Sequence, residues 1–151
     1  MIQRTFPFFG VFFGVMMLWA YPSAAQGALA IGLPARGPSA GFVYGMSVNN
    51  ANSRTTAMNL CRGIDTNNNA IPDRASEAQS SCKIVGTFHD RCAAAAHNGT
   101  KHIPATGVGW AIAATSAAAK NQALANCEAM AKGRGNSACA VEGFRCDGAA
   151  N

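Results

Sequence analysis

The sequence predicts an α+β fold, a single compact domain of two tandem β-β-α-β repeats stapled by disulfides. Three observations lead there. Ala57-Met58-Asn59-Leu60-Cys61 is echoed by Ala123-Leu124-Ala125-Asn126-Cys127. Each copy is followed by a cysteine that opens a short apolar run, Cys82 to Phe88 and Cys139 to Phe144, and each run then reaches a third cysteine, Cys92 or Cys146. The cysteines number six, an even count that in an exported chain implies a disulfide framework.

The elements follow in order. Gly27 to Gly32 reads as a first strand and Pro34 to Pro38 as the turn after it. Gly41 to Val48 is β-branched and aromatic enough for a second strand. Asn49, Asn50, Asn52 and Ser53 supply turn and N-cap chemistry for a short helix from about Arg54 to Cys61, which Gly63 is placed to end. Arg62 to Ser81 is polar and reads as a loop before the Cys82 strand. The second half repeats the order: a strand from Cys92 to His97, a turn to Thr106, and a strand from Gly107 to Ala113. A helix capped by Thr115 or Ser116 then runs to about Lys132, before the Cys139 strand. On that helix Ala119, Ala123, Cys127 and Met130 share one face. Internal duplication accounts for the pattern, with repeat one over about 27–91 and repeat two over about 92–146.

The first 25 residues read as an export signal. Arg4 precedes an apolar stretch from Phe8 to Ala20, and Pro22-Ser23-Ala24-Ala25 brings small residues to a cleavage position, so the mature chain is expected to begin at Gln26. The apolar stretch falls short of the roughly 20 residues that a spanning helix needs, and no transmembrane segment is expected in the mature chain. Of the 151 residues, 126 then remain, enough for one domain with an apolar core. Alanine dominates the apolar residues, so the core side chains are small and each buries little area. Losing Arg4 lowers the formal charge from +5 to +4. The remaining basic residues are scattered without a dense run, which argues against nucleic acid as a partner.

The Gly-led strand, the aromatic-Gly strand, the A-[LM]-x-x-C helix and the cysteine-led apolar strand, in tandem, resemble the secreted bacterial family called domain of unknown function 4189. The resemblance covers about Gly27 to Cys146 and is strongest over Ala57 to Cys61, Cys82 to Cys92 and Gly109 to Cys146. It implies a compact α+β domain exported by bacteria, and it brings no catalytic residues. The chain departs from the family pattern in a long insertion between Cys61 and Cys82. It also has Tyr44-Gly45 where the family often has tryptophan, although Trp110 follows Gly109 in the second copy.

Of the 15 ways to pair six cysteines, the duplication favours Cys61–Cys82 and Cys127–Cys139, which tie each helix end to the following strand. Cys92–Cys146 would then link the two halves. With no C-x-x-C pair, a zinc site is disfavoured. The segment Asp65 to Asp73 resembles a calcium loop, but Ala70 replaces the turn glycine, and Asn67 and Asn69 replace acidic ligands. Ser76 stands where a closing glutamate belongs, with Glu77 next to it. An Asn-rich surface insertion is the plainer reading, and no metal or cofactor is expected.

His89-Asp90 suggests acid–base chemistry, yet neighbours on an extended strand point to opposite faces, so the pair is not expected to cooperate. His97 and His102 flank the second turn, and Asn98-Gly99-Thr100, a glycosylation-type triplet, reads chiefly as a turn. No nucleophile elbow, phosphate loop or paired carboxylate joins the histidines. The expected function is a non-enzymatic binding module, periplasmic or secreted, whose partner is an unidentified protein or an acidic cell-envelope component. Tyr44 and Trp110, read as occupying matching strand positions, are its candidate anchors if exposed, and sheet packing if not. The alternatives are a small hydrolase using His89 or His97 with a carboxylate, and a calcium-dependent module centred on Asp65 and Asp73.

Overall fold

Short runs of small apolar residues pair into two three-stranded antiparallel sheets. The computed structural model describes residues 27–64, 76–99, 105–132, 138–148 and 150. In the first half, β1 (Gly27–Gly32) is central, with β2 (Val43–Ser47) and β3 (Lys83–Phe88) on either side. The helices α1 (Ser53–Cys61) and α2 (Ser76–Ser80) lie between β2 and β3 in the chain. In the second half, β4 (Cys92–His97) is central between β5 (Val108–Ala113) and β6 (Ala140–Cys146), with α3 (Ser116–Ala131) joining β5 to β6. Both halves share the same sheet order and the α+β arrangement expected from the repeated motif, the second running β-β-α-β and the first adding α2 before its last strand.

The correspondence reaches into the ladders. Leu29 and Ala30 pair with Gly86 and Ile84, leaving Val85 as a bulge; Ala95 and Ala96 pair with Gly143 and Val141, leaving Glu142 as a bulge. This register aligns Cys82 with Cys139, and it aligns His89 rather than Cys92 with Cys146. The two cysteine triplets are therefore not equivalent. Cys92 lies directly across the β4–β6 ladder from Cys146, with Cα atoms 3.9 Å apart, so this bond closes the second sheet on itself and does not link the halves. The other bonds, Cys61–Cys82 and Cys127–Cys139, each tie a helix end to the start of the next strand.

What joins the halves is a shared layer. One face of each sheet carries its own helix: Ala28 and Ala30 pack with Ala57 and Cys61, and Ala94 and Ala96 with Ala119, Ala123 and Cys127. The opposite faces meet each other, with Leu29, Ile31, Met46 and Phe88 of the first sheet against Ala93 and Ala95 of the second. The layer order is helix, sheet, sheet, helix. β2 lies over β6 and β3 over β5, since a Cβ on Gly143 would meet the Tyr44 hydroxyl at 2.7 Å and one on Gly86 would meet Ile112 Cδ1 at 2.4 Å. The glycine after each bulge thus leaves room for a large side chain from the facing sheet.

Local expectations hold with a few differences. Thr115 caps α3, its Oγ1 accepting from the Ala118 N–H at 3.2 Å. Ala131, not Met130, completes the buried stripe of α3, because a spacing of four keeps it under Cys127. Gly63 ends α1 at φ 75°. The stretch read as loop contains α2, which tertiary contacts hold in place: Ala78 is fully buried, and Arg36 clasps the Glu77 carboxylate from the β1–β2 connection. The hydrogen bond from Arg36 holds the Glu77 carboxyl below its usual range. That support is present above the ordinary carboxylate range and fades as the pH falls through the lowered value. Acid titration followed by NMR should therefore show α2 amide shifts moving at lower pH than those near a free glutamate, and Arg36→Ala should abolish the difference.

Residues 1–25, expected from the sequence to be an export signal, the Asp65 to Asp73 segment, Thr100 and His102 lie outside the described residues. Among the described residues, no helix is long and apolar enough to cross a membrane.

Candidate functional site

Three places gather polar or aromatic groups. The first is at the β3–β4 turn. Asp90 adopts φ 49°, so the chain is not extended there, and His89 and Asp90 turn toward each other, with Nε2 3.3 Å from Asp90 Oδ2. This corrects the expectation that the two would face apart. The other ring nitrogen, Nδ1, lies 3.3 Å from Oδ2 of Asp147, a fully buried carboxylate just beyond β6. Asp147 Oδ1 accepts from the Asn49 N–H at 3.3 Å, and the Asp147 N–H donates to the Arg91 carbonyl at 2.9 Å. Asp147 thus ties the segment after β6 to the Asn49 connection and to the β3–β4 turn.

The carboxylates approach opposite nitrogens, with the ring between them, so their oxygens do not converge on a common point. Among the described residues no group of histidine, cysteine and carboxylate side chains could hold a metal ion. The ring lies between two carboxylates at ion-pair distance, and the buried Asp147 Oδ2 makes no hydrogen bond among the described residues. His89→Ala should leave Asp147 buried without its ring partner and cost about 1–3 kcal/mol, read by urea unfolding. Sequence reading missed Asp147, which carries only the turn signal of Asp147-Gly148.

The second place is His97, at the end of β4. Its Nδ1 accepts from the Gly99 N–H at 2.9 Å, which puts the ring proton on Nε2, 3.0 Å from Glu142 Oε1. Both nitrogens are engaged, and Glu142 is the bulged residue of β6. Next to it the Asn98 side chain closes the turn: Oδ1 accepts from the N–H groups of Thr106 and Gly107, each at 2.9 Å, and Nδ2 donates to Thr106 Oγ1 at 2.8 Å. At 4% exposure this amide belongs to the fold and is not available for glycosylation in the folded protein. All the cysteines are in disulfides, so neither histidine has a thiol to activate.

The third place is the mouth between the sheets at the β2/β6 edge. A groove of about 220 Å³ is lined by Tyr44, Leu60, Glu142, Gly143, Phe144 and Arg145, among others. Phe144, 40% exposed, is the exposed large apolar side chain among the described residues, and Lys120 Nζ sits 3.5 Å from its ring centroid. Neither Phe144 nor the groove was singled out from the sequence, because an aromatic in a strand ordinarily signals packing.

The structure separates the two aromatics that the sequence paired. Gly45 and Gly109 are the equivalent positions, each set against its helix backbone. Tyr44 therefore corresponds to Val108, and Trp110 to Met46. Tyr44 is half-buried at the β2/β6 edge and opens on the groove. Trp110 is half-buried on β5, flanks the inter-sheet layer, and its carbonyl accepts from Asn126 Nδ2 at 2.9 Å. The two lie at opposite edges of the sandwich.

A family model described as Domain of unknown function (DUF4189) matches residues 26–146. No curated protein and no solved structure matches the chain.

Proposed function

The chain belongs to the DUF4189 family, whose members share a domain of unknown function, and we propose that it is an exported binding module, not an enzyme. The observation that carries this reading is that both described histidines are set against carboxylates of the fold and neither has a free thiol to activate. His89 lies between two carboxylates, and His97 between a backbone N–H and Glu142. Catalysis needs a base or nucleophile with an unused lone pair and a place where developing charge is stabilised. The polar groups here are spent on holding loops together.

Binding needs less: a rigid surface with exposed apolar anchors. Three disulfides supply the rigidity, and the edge carrying Tyr44 and Phe144 supplies the surface. The disulfides suit the periplasm or the exterior, where the partner is a protein or an acidic envelope component met by a basic domain. Intact-mass analysis of exported protein should show a chain beginning at Gln26.

The test is partner capture from an envelope fraction by the oxidised domain. Phe144→Ala and Tyr44→Ala should weaken capture, with circular dichroism confirming the fold, whereas Trp110→Ala reports on the opposite edge. Hydrolytic turnover by the pure domain, abolished by His89→Ala or His97→Ala, would defeat the proposal.

A further inference from the structure

β6 is an edge strand: among the described residues its ladder partner is β4 alone. The Cα separation of 3.9 Å at Cys92 and Cys146 marks the narrow, non-hydrogen-bonded kind of antiparallel pair. Alternation along the ladder makes Ala94 and Phe144 the same kind, so the N–H and C=O of Phe144 point out to the free edge. The Arg145 side chain already covers that carbonyl, NH1 donating to the Phe144 oxygen at 3.0 Å. A donor therefore stands where the N–H of an added strand would go.

Hollows lie on both faces of this edge. Beside the groove toward Tyr44 there is a second hollow of about 440 Å³, lined by Ser116, Phe144, Arg145, Cys146 and Ala150 on the α3 side. Phe144 and Arg145 border both. Successive side chains of an extended segment point to opposite faces, so a strand laid along β6 would place one residue in each hollow. The charges at the site are unequal. Arg145 and Lys120 flank Phe144, while Glu142, which also lines the groove, is turned to His97.

We infer that β6 receives an extended segment of a partner protein by strand addition, with an acidic side chain beside an apolar one facing Arg145, Lys120 and Phe144. Main-chain bonds give such a site its affinity, and the hollows give it selectivity. The inference rests on the binding-module reading and gives that module its mode of recognition.

The test is selection of a phage-displayed library of random eight-residue segments on the oxidised full-length mature domain. Selected peptides should be rich in Asp or Glu next to apolar residues, and Arg145→Glu should weaken the best of them by at least about tenfold, which is 1.4 kcal/mol. Binding should slow exchange of the Phe144 amide, and N-methylation of alternate peptide amides should abolish it. No enrichment over the Phe144→Asp variant, or a footprint on β5 or α1 instead of β6, would overturn strand addition. Envelope capture that survives Phe144→Asp would leave the binding module standing without this mode. Peptide cleavage lost in His89→Ala would remove the module reading itself.

Discussion

Reducing all three disulfides is expected to unfold the domain at ambient temperature. The bonds close loops of 21, 54 and 12 residues. Chain entropy assigns about 3, 4 and 3 kcal/mol to loops of these lengths, against a total stability of about 5–15 kcal/mol for an ordinary domain. The core offers little to compensate. Its two helix-facing layers are built mainly of Ala28, Ala30, Ala57, Ala94, Ala96, Ala119 and Ala123, and alanine buries the least apolar area per residue ordered. Far-UV circular dichroism with and without reductant reads the effect. The oxidised domain should melt cooperatively, and the reduced one should show no folded baseline. Among single bonds, replacing Cys92 and Cys146 together should cost most, because that loop is longest. A reduced domain melting within a few degrees of the oxidised one would show that the thin core suffices alone.

The second large effect is steric. A Cβ on Gly109 would lie 2.1 Å from the Ala123 carbonyl oxygen and 2.4 Å from the Cys127 nitrogen; on Gly45 it would lie 2.0 Å from the Ala57 oxygen and 2.5 Å from the Cys61 nitrogen. These contacts are helix backbone and cannot rotate aside, so the whole helix must move off the sheet. Overpacking a core costs about 1–3 kcal/mol where side chains can adjust, and here the cost belongs at or above the upper end. Gly109→Ala and Gly45→Ala should each lower Tm by roughly 10 °C. Gly37→Ala is the contrast: φ is 91° and ψ −175°, a region kept for glycine, but nothing lies within 4 Å, so only the backbone is penalised, at about 1–3 kcal/mol. If Gly109→Ala were no worse than Gly37→Ala, close helix–sheet approach would not be what holds these layers.

The repeated architecture was legible because its strongest marks are local. A-[LM]-x-x-C closes α1 and falls one turn before the end of α3, and a cysteine precedes the next strand in both. What the sequence hid depends on register and distance. Ala93-Ala94-Ala95-Ala96 has no polar alternation, so nothing in it tells which alanines face α3 and which face the other sheet. The bulges at Val85 and Glu142 fall at the same place in both copies. The spacing from Cys82 to Cys92, ten positions against seven from Cys139 to Cys146, therefore already separates the triplets; matching cysteines by order alone made Cys92 look like the partner in kind of Cys146. The same ambiguity set Tyr44 against Trp110, when Gly45 and Gly109 are the positions that correspond. His89-Asp90 looked uncooperative because an extended strand was assumed; the left-handed Asp90 reverses the chain there. Asp147 is 58 residues from its imidazole partner, from 89 to 147, and only the folded chain brings them together. The groove at β2 and β6 belongs to neither repeat alone, which is why no motif announced it.

The most direct test of binding without catalysis is the affinity of the oxidised domain for its captured envelope partner, measured on histidine and edge variants in parallel. His97→Ala and His89→Ala, each checked for folding, should bind within about twofold of the unaltered domain, and Phe144→Ala should bind about tenfold more weakly. Conversion of that partner to a product by the unaltered domain, lost in either histidine variant while the partner still binds, would contradict it.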